Sequence, residues 1–288
     1  MSTLNEVLRQ TLGAGLLRAD AVSGGDINLA RRLTLEDGSR VFMKANRRAP
    51  RGFFEAEADG LAAISAARCL GAPRVLGLGD DPDLGAFLLL EWVEPAPRAR
   101  DFWEAFGRGL AAMHRAPTPD RFGWTRDNFI GAAPQSNAPA DRWTDFFRDR
   151  RLAPQLRRAQ GWLDAAARRR ADRLLERLDE YLPQPPRPAL LHGDLWSGNF
   201  VTGGDGRAWL VDPAVYAGHP EADLAMTELF GGFPERFYDA YREAAPLADG
   251  YPRRRELYNL YHLLNHLNLF GGGYLGAVDR VLRRFGGR

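Results

Sequence analysis

Lysine is nearly missing from this chain: of its 39 basic residues, all but Lys44 are arginine. A composition that writes arginine wherever a cation serves has kept one compact ammonium on a flexible stem where a planar fork would be the default. Cysteine is equally scarce. Cys69 stands alone, which excludes an intrachain disulfide and a cysteine-based metal cluster. The longest aliphatic run, AFLLL at 86–90, is far too short to span a bilayer. The opening MSTLNEVLRQTLGAG lacks the basic start and unbroken apolar stretch of a secretory leader, so the chain reads as cytoplasmic. A dominant charge is missing as well. With 39 basic against 37 acidic residues the net charge is +2, without the field of a nucleic-acid binder, and neither nucleic acid nor membrane is expected as a partner. The 288 residues, 45% hydrophobic and 26% charged, suit an ordinary globular protein of one large or two smaller domains.

The chain changes character near Pro95. Before it, short apolar runs alternate with turns: ARRLTLEDGSRVFMKAN predicts two strands joined at Asp37-Gly38, and VLGLGDDPDLGAFLLLEWVE predicts another pair. One helix is expected between them, from about Phe54 to Leu70. After residue 100, helical periodicity dominates, as in FWEAFGRGLAAMH, where Phe102, Phe106, Leu110 and Met113 share a face. The fold class is therefore α+β, with a sheet-rich first part at 1–93 and a mainly helical second part at 94–288. Residues 117–140 form a long Pro/Gly/Asn-rich loop region, and PQPPRP at 183–188 is a stiff extended approach to a strand. The arginine-rich RRRADRLLERLDEYL carries interleaved acids and reads as a solvated helix face.

The chemistry is concentrated in ALLHGDLWSGNFVTGGDGRAWLVDPAVYAG, residues 189–218. If Asp205-Gly206 are the two central residues of a hairpin turn, Asn199 and Asp212 stand directly opposite one another, on one face. An amide oxygen and a carboxylate there suit a hard cation such as Mg²⁺ that keeps phosphate oxygens among its ligands. Asp194, five residues before Asn199, supplies another carboxylate. Asp-x-x-x-x-Asn followed by an Asp at a strand end is the arrangement of phosphotransferases: Asp194 accepts a hydroxyl proton, Asn199 and Asp212 hold metal. Lys44, ending the strand VFMK, then takes the part of the kinase lysine that contacts ATP phosphates. Its acidic partner is expected on the following helix. Glu57 shares a face with Phe54, Leu61 and Ile64, and a carboxylate on an apolar face needs a cation, whereas Glu55 points elsewhere and is the fallback. The Gly-bearing turn SGGDINLA, with Gly24, Gly25 and Asp26, precedes Lys44 where backbone amides would cover phosphates.

Other motifs read differently. His262 and His266 sit at i and i+4, but Leu263 stands where a zinc protease has Glu, so helix packing or pocket lining is expected of them. GLG at 77–79 is followed by no helix and is not a dinucleotide fingerprint. Trp143, Trp162, Phe146 and Phe147 read as core, and His192 as a structural member of the loop around Asp194.

HGDLWSGN at 192–199, GGDINLA at 24–30, DNFIG at 127–131, YAGHPEADLAM at 216–226, FGGFP at 230–234 and YHLLNHLNLFG at 261–271 together resemble the fructosamine kinase (ketosamine 3-kinase) family, from about residue 5 to 285. Trp196 is the more specific mark. The resemblance implies a bilobal protein-kinase-like fold: a small antiparallel-sheet N-lobe with one key helix, and a larger, mainly helical C-lobe. It implies ATP between the lobes with its adenine at Glu91-Trp92-Val93, Asp194 as base toward the 3-hydroxyl of a glycated amine's sugar, and Asp223 bracing the loop from a helix. Trp196, His262 and His266 are candidates to face the substrate. Where some relatives carry a cysteine in the glycine turn, this chain has Asp26, which excludes thiol control there. A kinase of the aminoglycoside or choline type is the alternative enzyme reading, and a catalytically silent nucleotide-binding module the alternative of another class. The complete set Lys44, Glu57, Asp194, Asn199 and Asp212 argues against silence.

Overall fold

The structure, a computed structural model, describes residues 3–22, 28–185 and 187–287. The first part contains α1 (Leu4–Leu12), β1 (Leu16–Ala21), β2 (Leu29–Leu35), β3 (Arg40–Asn46), α2 (Phe53–Ala67), β4 (Val75–Asp81) and β5 (Gly85–Glu91). The five strands make one antiparallel sheet in the order β1-β2-β3-β5-β4. β3 lies in the middle, and strand alternation sends its side chains to opposite faces. Val41, Met43 and Ala45 join Leu4, Leu8 and Leu33 in one apolar cluster under α1, while the other face belongs to α2. Helix α1 was not expected. Its start is nonetheless written in the sequence, because Thr3 and Glu6 form a reciprocal capping box around its first turn.

The second part comprises α3 (Phe102–Met113), a small hairpin of β6 (Asn128–Ile130) and β7 (Ala133–Gln135), α4 (Trp143–Phe146), a π-helical turn over Phe147–Leu152, α5 (Ala153–Arg158) and α6 (Ala165–Glu176). The long loop expected at 117–140 thus contains that short hairpin. There follow β8 (Ala189–Leu191), β9 (Phe200–Thr202), β10 (Ala208–Leu210), β11 (Tyr216–Gly218), α7 (Glu221–Leu229), α8 (Glu235–Ala244), α9 (Tyr251–Phe270) and α10 (Leu275–Phe285). β9 pairs with β10 and β8 with β11, both antiparallel. Trp143, Phe146 and Phe147 are buried as expected, in a cluster with α6, α9 and α10. Trp162 is not core. It is 44% exposed and lies against Gly271 and Gly272 at the end of α9.

A third apolar cluster joins the two parts, running from Phe54, Leu61, Ile64 and Leu88 to Phe102, Phe106, Leu190, Leu210 and Phe237. Main-chain bonds reinforce it. Gly71, in the connection after α2, donates to Ala208 O at 3.2 Å and accepts from Leu210 N at 2.8 Å, so it extends the β9–β10 hairpin as a third strand would. The tip of that hairpin accepts from Ala99 N at Gly206 O, 3.1 Å, and Arg207 reaches Asp101 at 2.8 Å.

Helices α3 and α8 approach backbone to backbone at Gly107, where a Cβ would stand 2.2 Å from Phe237 O and 3.1 Å from Tyr241 N. No side-chain motion relieves such a clash. Gly107→Ala should therefore force the helices apart despite its better helix propensity, with a loss of roughly 1–3 kcal/mol, as for other overpacked cores. Thermal unfolding of parent and variant measures it; an unchanged or raised melting temperature would show that the helices separate without cost.

Candidate active site

The face of β3 that carries Lys44 is covered by α2, and Lys44 is only 7% exposed. Burying an ammonium is costly unless counter-ions meet it, and two do. Nζ lies 2.5 Å from Glu57 Oε1 on α2 and also contacts Asp212 Oδ1, from the segment after β10. Burial alone would depress the Lys44 pKa; the charges of Glu57 and Asp212 outweigh it and hold the pKa above its usual value. Burial raises the Glu57 carboxyl against the pull of Lys44. Glu55, the fallback, is exposed on the opposite side of α2.

Asp194 lies on the loop between β8 and β9. Its Oδ2 accepts from Asn199 Nδ2 at 3.1 Å, and its main-chain oxygen accepts from the same nitrogen at 2.8 Å, so one amide ties the two ends of the loop together. Burial, helped by the nearby charges of Asp212 and Asp223, pushes the Asp194 pKa up to about 7, against the hydrogen bond from Asn199. The loop is pinned from α7, where Asp223 accepts from His192 N at 2.7 Å and Gly193 N at 2.8 Å. Burial opposes the Asp223 charge, but His114 and these neighbours hold its pKa below the usual value. Gly193 is required here. It sits at φ +83°, and a Cβ would lie 2.1 Å from Ala214 O. His192 is fully buried with Nε2 bonded to Val211 O at 3.0 Å, in keeping with a structural part.

The hairpin register differs from the sequence-based expectation. Thr202 pairs with Ala208 and Phe200 with Leu210, so the turn is a three-residue loop, Gly204-Asp205-Gly206, with Gly206 at φ +69°. Asn199 therefore stands opposite Val211, whose N–H donates to Asn199 O at 3.0 Å, and Asp212 is one step beyond. A one-residue shift should send Asp212 to the wrong face. Instead Asp212 adopts a left-handed backbone at φ +57°, which breaks the strand alternation and turns its carboxylate to Lys44.

Of the other candidates, Gly24, Gly25 and Asp26 lie outside the described residues. Glu91 closes β5 and accepts from Arg74 Nε at 2.6 Å; Val93 is half-buried just after it. Trp196 is 36% exposed and meets Phe230 edge-on, with ring centroids 6.1 Å apart. Phe230 in turn packs on His266 at 4.8 Å, and His266 on Phe270 and Tyr274, so Trp196 and His266 belong to one aromatic group. His262 is buried, with Nδ1 3.9 Å from Asp194 Oδ1. Sequence reasoning missed His114, whose Nε2 meets Asp223 Oδ2 at 3.2 Å and whose Nδ1 meets the Tyr241 hydroxyl at 2.7 Å. The available signal was an imidazole one turn after Leu110 on the apolar stripe of α3.

Comparison with known proteins bears on this geometry. The fructosamine kinase family matches residues 1–286. The chain belongs to that family. It is 42% identical to a Synechocystis protein named probable ketoamine kinase, over 98% of this chain and 95% of that one. It is 37% identical to the chloroplastic protein-ribulosamine 3-kinase of Arabidopsis thaliana, over 96% of this chain and 86% of that one. The crystal structure of a Thermobifida fusca protein assigned as a fructosamine-3-kinase superposes with a TM-score of 0.86 at 37% identity, each chain 97% covered. The fold extends further: an aminoglycoside phosphotransferase in ternary complex with AMP-PNP and hygromycin B superposes with a TM-score of 0.67 at 16% identity, with 98% of each chain covered. This family member thus has the bilobal protein-kinase-like fold. Among the described residues, no helix is long and apolar enough to cross a membrane.

The Lys44–Glu57 pair makes a stability test. Lys44→Met leaves Glu57 buried without its counter-ion and should cost roughly 3–5 kcal/mol, whereas Lys44→Met with Glu57→Leu removes both charges and should recover most of that loss. Denaturant unfolding of the two variants against the parent decides it. A single variant as stable as the double would mean that the pair is not electrostatically coupled.

Proposed function

We propose that this protein is an ATP-dependent ketosamine 3-kinase, which transfers the γ-phosphoryl group of ATP to the 3-hydroxyl of the sugar part of a glycated amine. The observation that carries this reading is the constellation itself: Lys44 joined to Glu57 and Asp212, and Asp194 joined to Asn199, in a member of the fructosamine kinase family. Phosphoryl transfer asks the protein mainly for positioning and charge. Asp194, with a pKa about 7, accepts the hydroxyl proton. The freed oxygen bonds to the γ-phosphorus, the bond to ADP breaks and ADP leaves with its electron pair. Lys44 places positive charge at the phosphates, and Glu57 holds it there. The chain at Glu91 and Val93 receives adenine, between lobes at 1–93 and 94–288. Trp196 and His266 line the acceptor's place. A phosphate at C3, beside the C2 carbonyl, is a far better leaving group than hydroxyl. After C1 gives up a proton to form the enol, phosphate departs with its electron pair, and water hydrolyses the resulting C1 imine to free the amine.

Mg²⁺ fits this site. Asp212 offers a carboxylate with 44% of its side chain exposed, and Asn199, having turned Nδ2 toward Asp194, has its amide oxygen left for a cation. No cluster of three or more His, Cys, Asp or Glu groups gathers as a metal cage among the described residues. Two hard oxygen donors in an open site are what Mg²⁺ takes when phosphates and water complete its shell, and the ion would neutralise charge on the β- and γ-phosphates. We read the enzyme as cytoplasmic, where ATP is abundant and a free cysteine such as Cys69 stays reduced.

An ATP-consumption assay across ribulosamines, fructosamines and aminoglycosides tests the substrate class, with turnover expected on the ketosamines. Asp194→Asn should cut that turnover by roughly 10²- to 10⁴-fold and leave nucleotide affinity nearly intact. Turnover on aminoglycosides alone would replace the substrate; an Asp194→Asn protein that loses nucleotide affinity but not turnover would remove the base.

The metal reading has its own test. Asp212→Asn should lower turnover on the order of 10²-fold and move Mg²⁺ saturation to higher concentration at fixed ATP. An Mg²⁺ titration superimposable on the parent's would rule Asp212 out as a ligand.

A further inference from the structure

His262 has an unexplained nitrogen. The side chain is 5% exposed, and Nδ1 is buried with no hydrogen-bond partner among the described residues. Leaving such a group unmet costs about 1–3 kcal/mol, so packing alone would favour Leu or Phe at this point of α9. The charged and titratable groups around it are His266 on its own helix, Arg151 on the π-helical turn, Asp223 on α7 and Asp194 on the loop after β8. Burial first, with His266 and Arg151 acting against Asp223, holds the imidazole pKa down at about 3, so the ring is a neutral donor and acceptor.

Asp194 uses Oδ2 for Asn199, and the oxygen that faces His262 Nδ1, at 3.9 Å, is Oδ1. One hydrogen bond leaves a carboxylate free to turn, because the terminal torsion of Asp is broad. A second, on the other oxygen, fixes its plane. We propose that His262 is a positioning residue for Asp194: the neutral ring, carrying its proton on Nδ1, donates a hydrogen bond to Oδ1 in the substrate complex and aims the carboxylate at the reacting hydroxyl. The gap must close by about 1 Å to reach ordinary N–H···O length, and catalytic hydrogen bonds commonly tighten on substrate binding. This role rests on the ketosamine kinase reading, and it differs from direct contact with substrate, which the burial of the ring opposes.

Two substitutions separate positioning from packing. His262→Phe fills the space without a donor; His262→Asn keeps an amide N–H near the place of Nδ1. His262→Phe should melt at or above the parent temperature, since an unmet polar atom is gone, yet lose roughly 10- to 100-fold in kcat with KM for ATP unchanged. His262→Asn should recover most of that kcat, and His262→Phe should cost nothing further in an Asp194→Asn background. Parent-like kcat in His262→Phe, no rescue by Asn, or a raised acceptor KM with unchanged kcat would overturn the proposal. If the Phe variant does not fold, His262→Leu takes its place. A readout independent of turnover is the ring tautomer in the parent bound to AMP-PNP, from ¹⁵N shifts assigned with the variant: a proton on Nδ1 is expected, and one on Nε2 alone would overturn the role. A parent without turnover on any acceptor, but with the Nδ1 proton, would instead refute the kinase reading.

Discussion

Everything in the candidate site is arranged around one ammonium that could not be buried without help. Lys44 sits in the middle strand of the sheet, under α2, and needs negative charge from two directions. Glu57 provides it from the same part of the chain, Asp212 from the other. The demand for neutralisation thus joins elements 168 residues apart in sequence and sets where α2 must lie on the sheet. A guanidinium would be a poor substitute even in a chain that otherwise uses arginine, because its wide planar fork needs more room than two carboxylates leave around a compact ammonium.

The loop around Asp194 obeys a similar rule. Asp223 is almost fully buried, yet it stays charged because His114 and the amides of His192 and Gly193 converge on it. A buried carboxylate with a full set of donors is rigid. The rigid member therefore lies behind the loop, and Asp194, with one oxygen bound to a single side-chain amide, is the adaptable one. Burial raises both carboxyls; the donors around Asp223 overcome it, whereas at Asp194 burial and the nearby charge of Asp212 prevail over the one bond from Asn199.

What could be read from the sequence was whatever depends on local periodicity. The Lys44–Glu57 pairing follows from strand alternation and one helical wheel, and the helices from their apolar stripes. What depended on backbone detail was less accessible. Asp205-Gly206 suggests a two-residue turn, but the extra residue, Gly204, shifts the register, and the left-handed Asp212 then compensates for the shift. Asn199 and Asp212 thus flank the site for a reason other than direct opposition. Trp162 looked like core because aromatics usually are, and only the tertiary path after α9 leaves it half in solvent. His114 lay on a legible apolar stripe, but its partner is 109 residues away, beyond any periodic pattern.

The hairpin of β9 and β10 has a mechanical consequence. Through Gly71 it is hydrogen-bonded to the connection after α2, and through Gly206 to the chain that links the two parts. On the opposite side of α2, Asp59 and Arg126 form an exposed ion pair at 2.7 Å, a tie that water and salt loosen easily. The edge near that pair is closed by packing rather than by charge, since Phe53 of α2 meets Phe129 of β6 with ring centroids 4.9 Å apart and Gly60 lies against Pro213 and Val215. Asn199 and Asp212 flank the base of the hairpin, so the same seam that stitches the two parts together also fixes the spacing of these two oxygen donors.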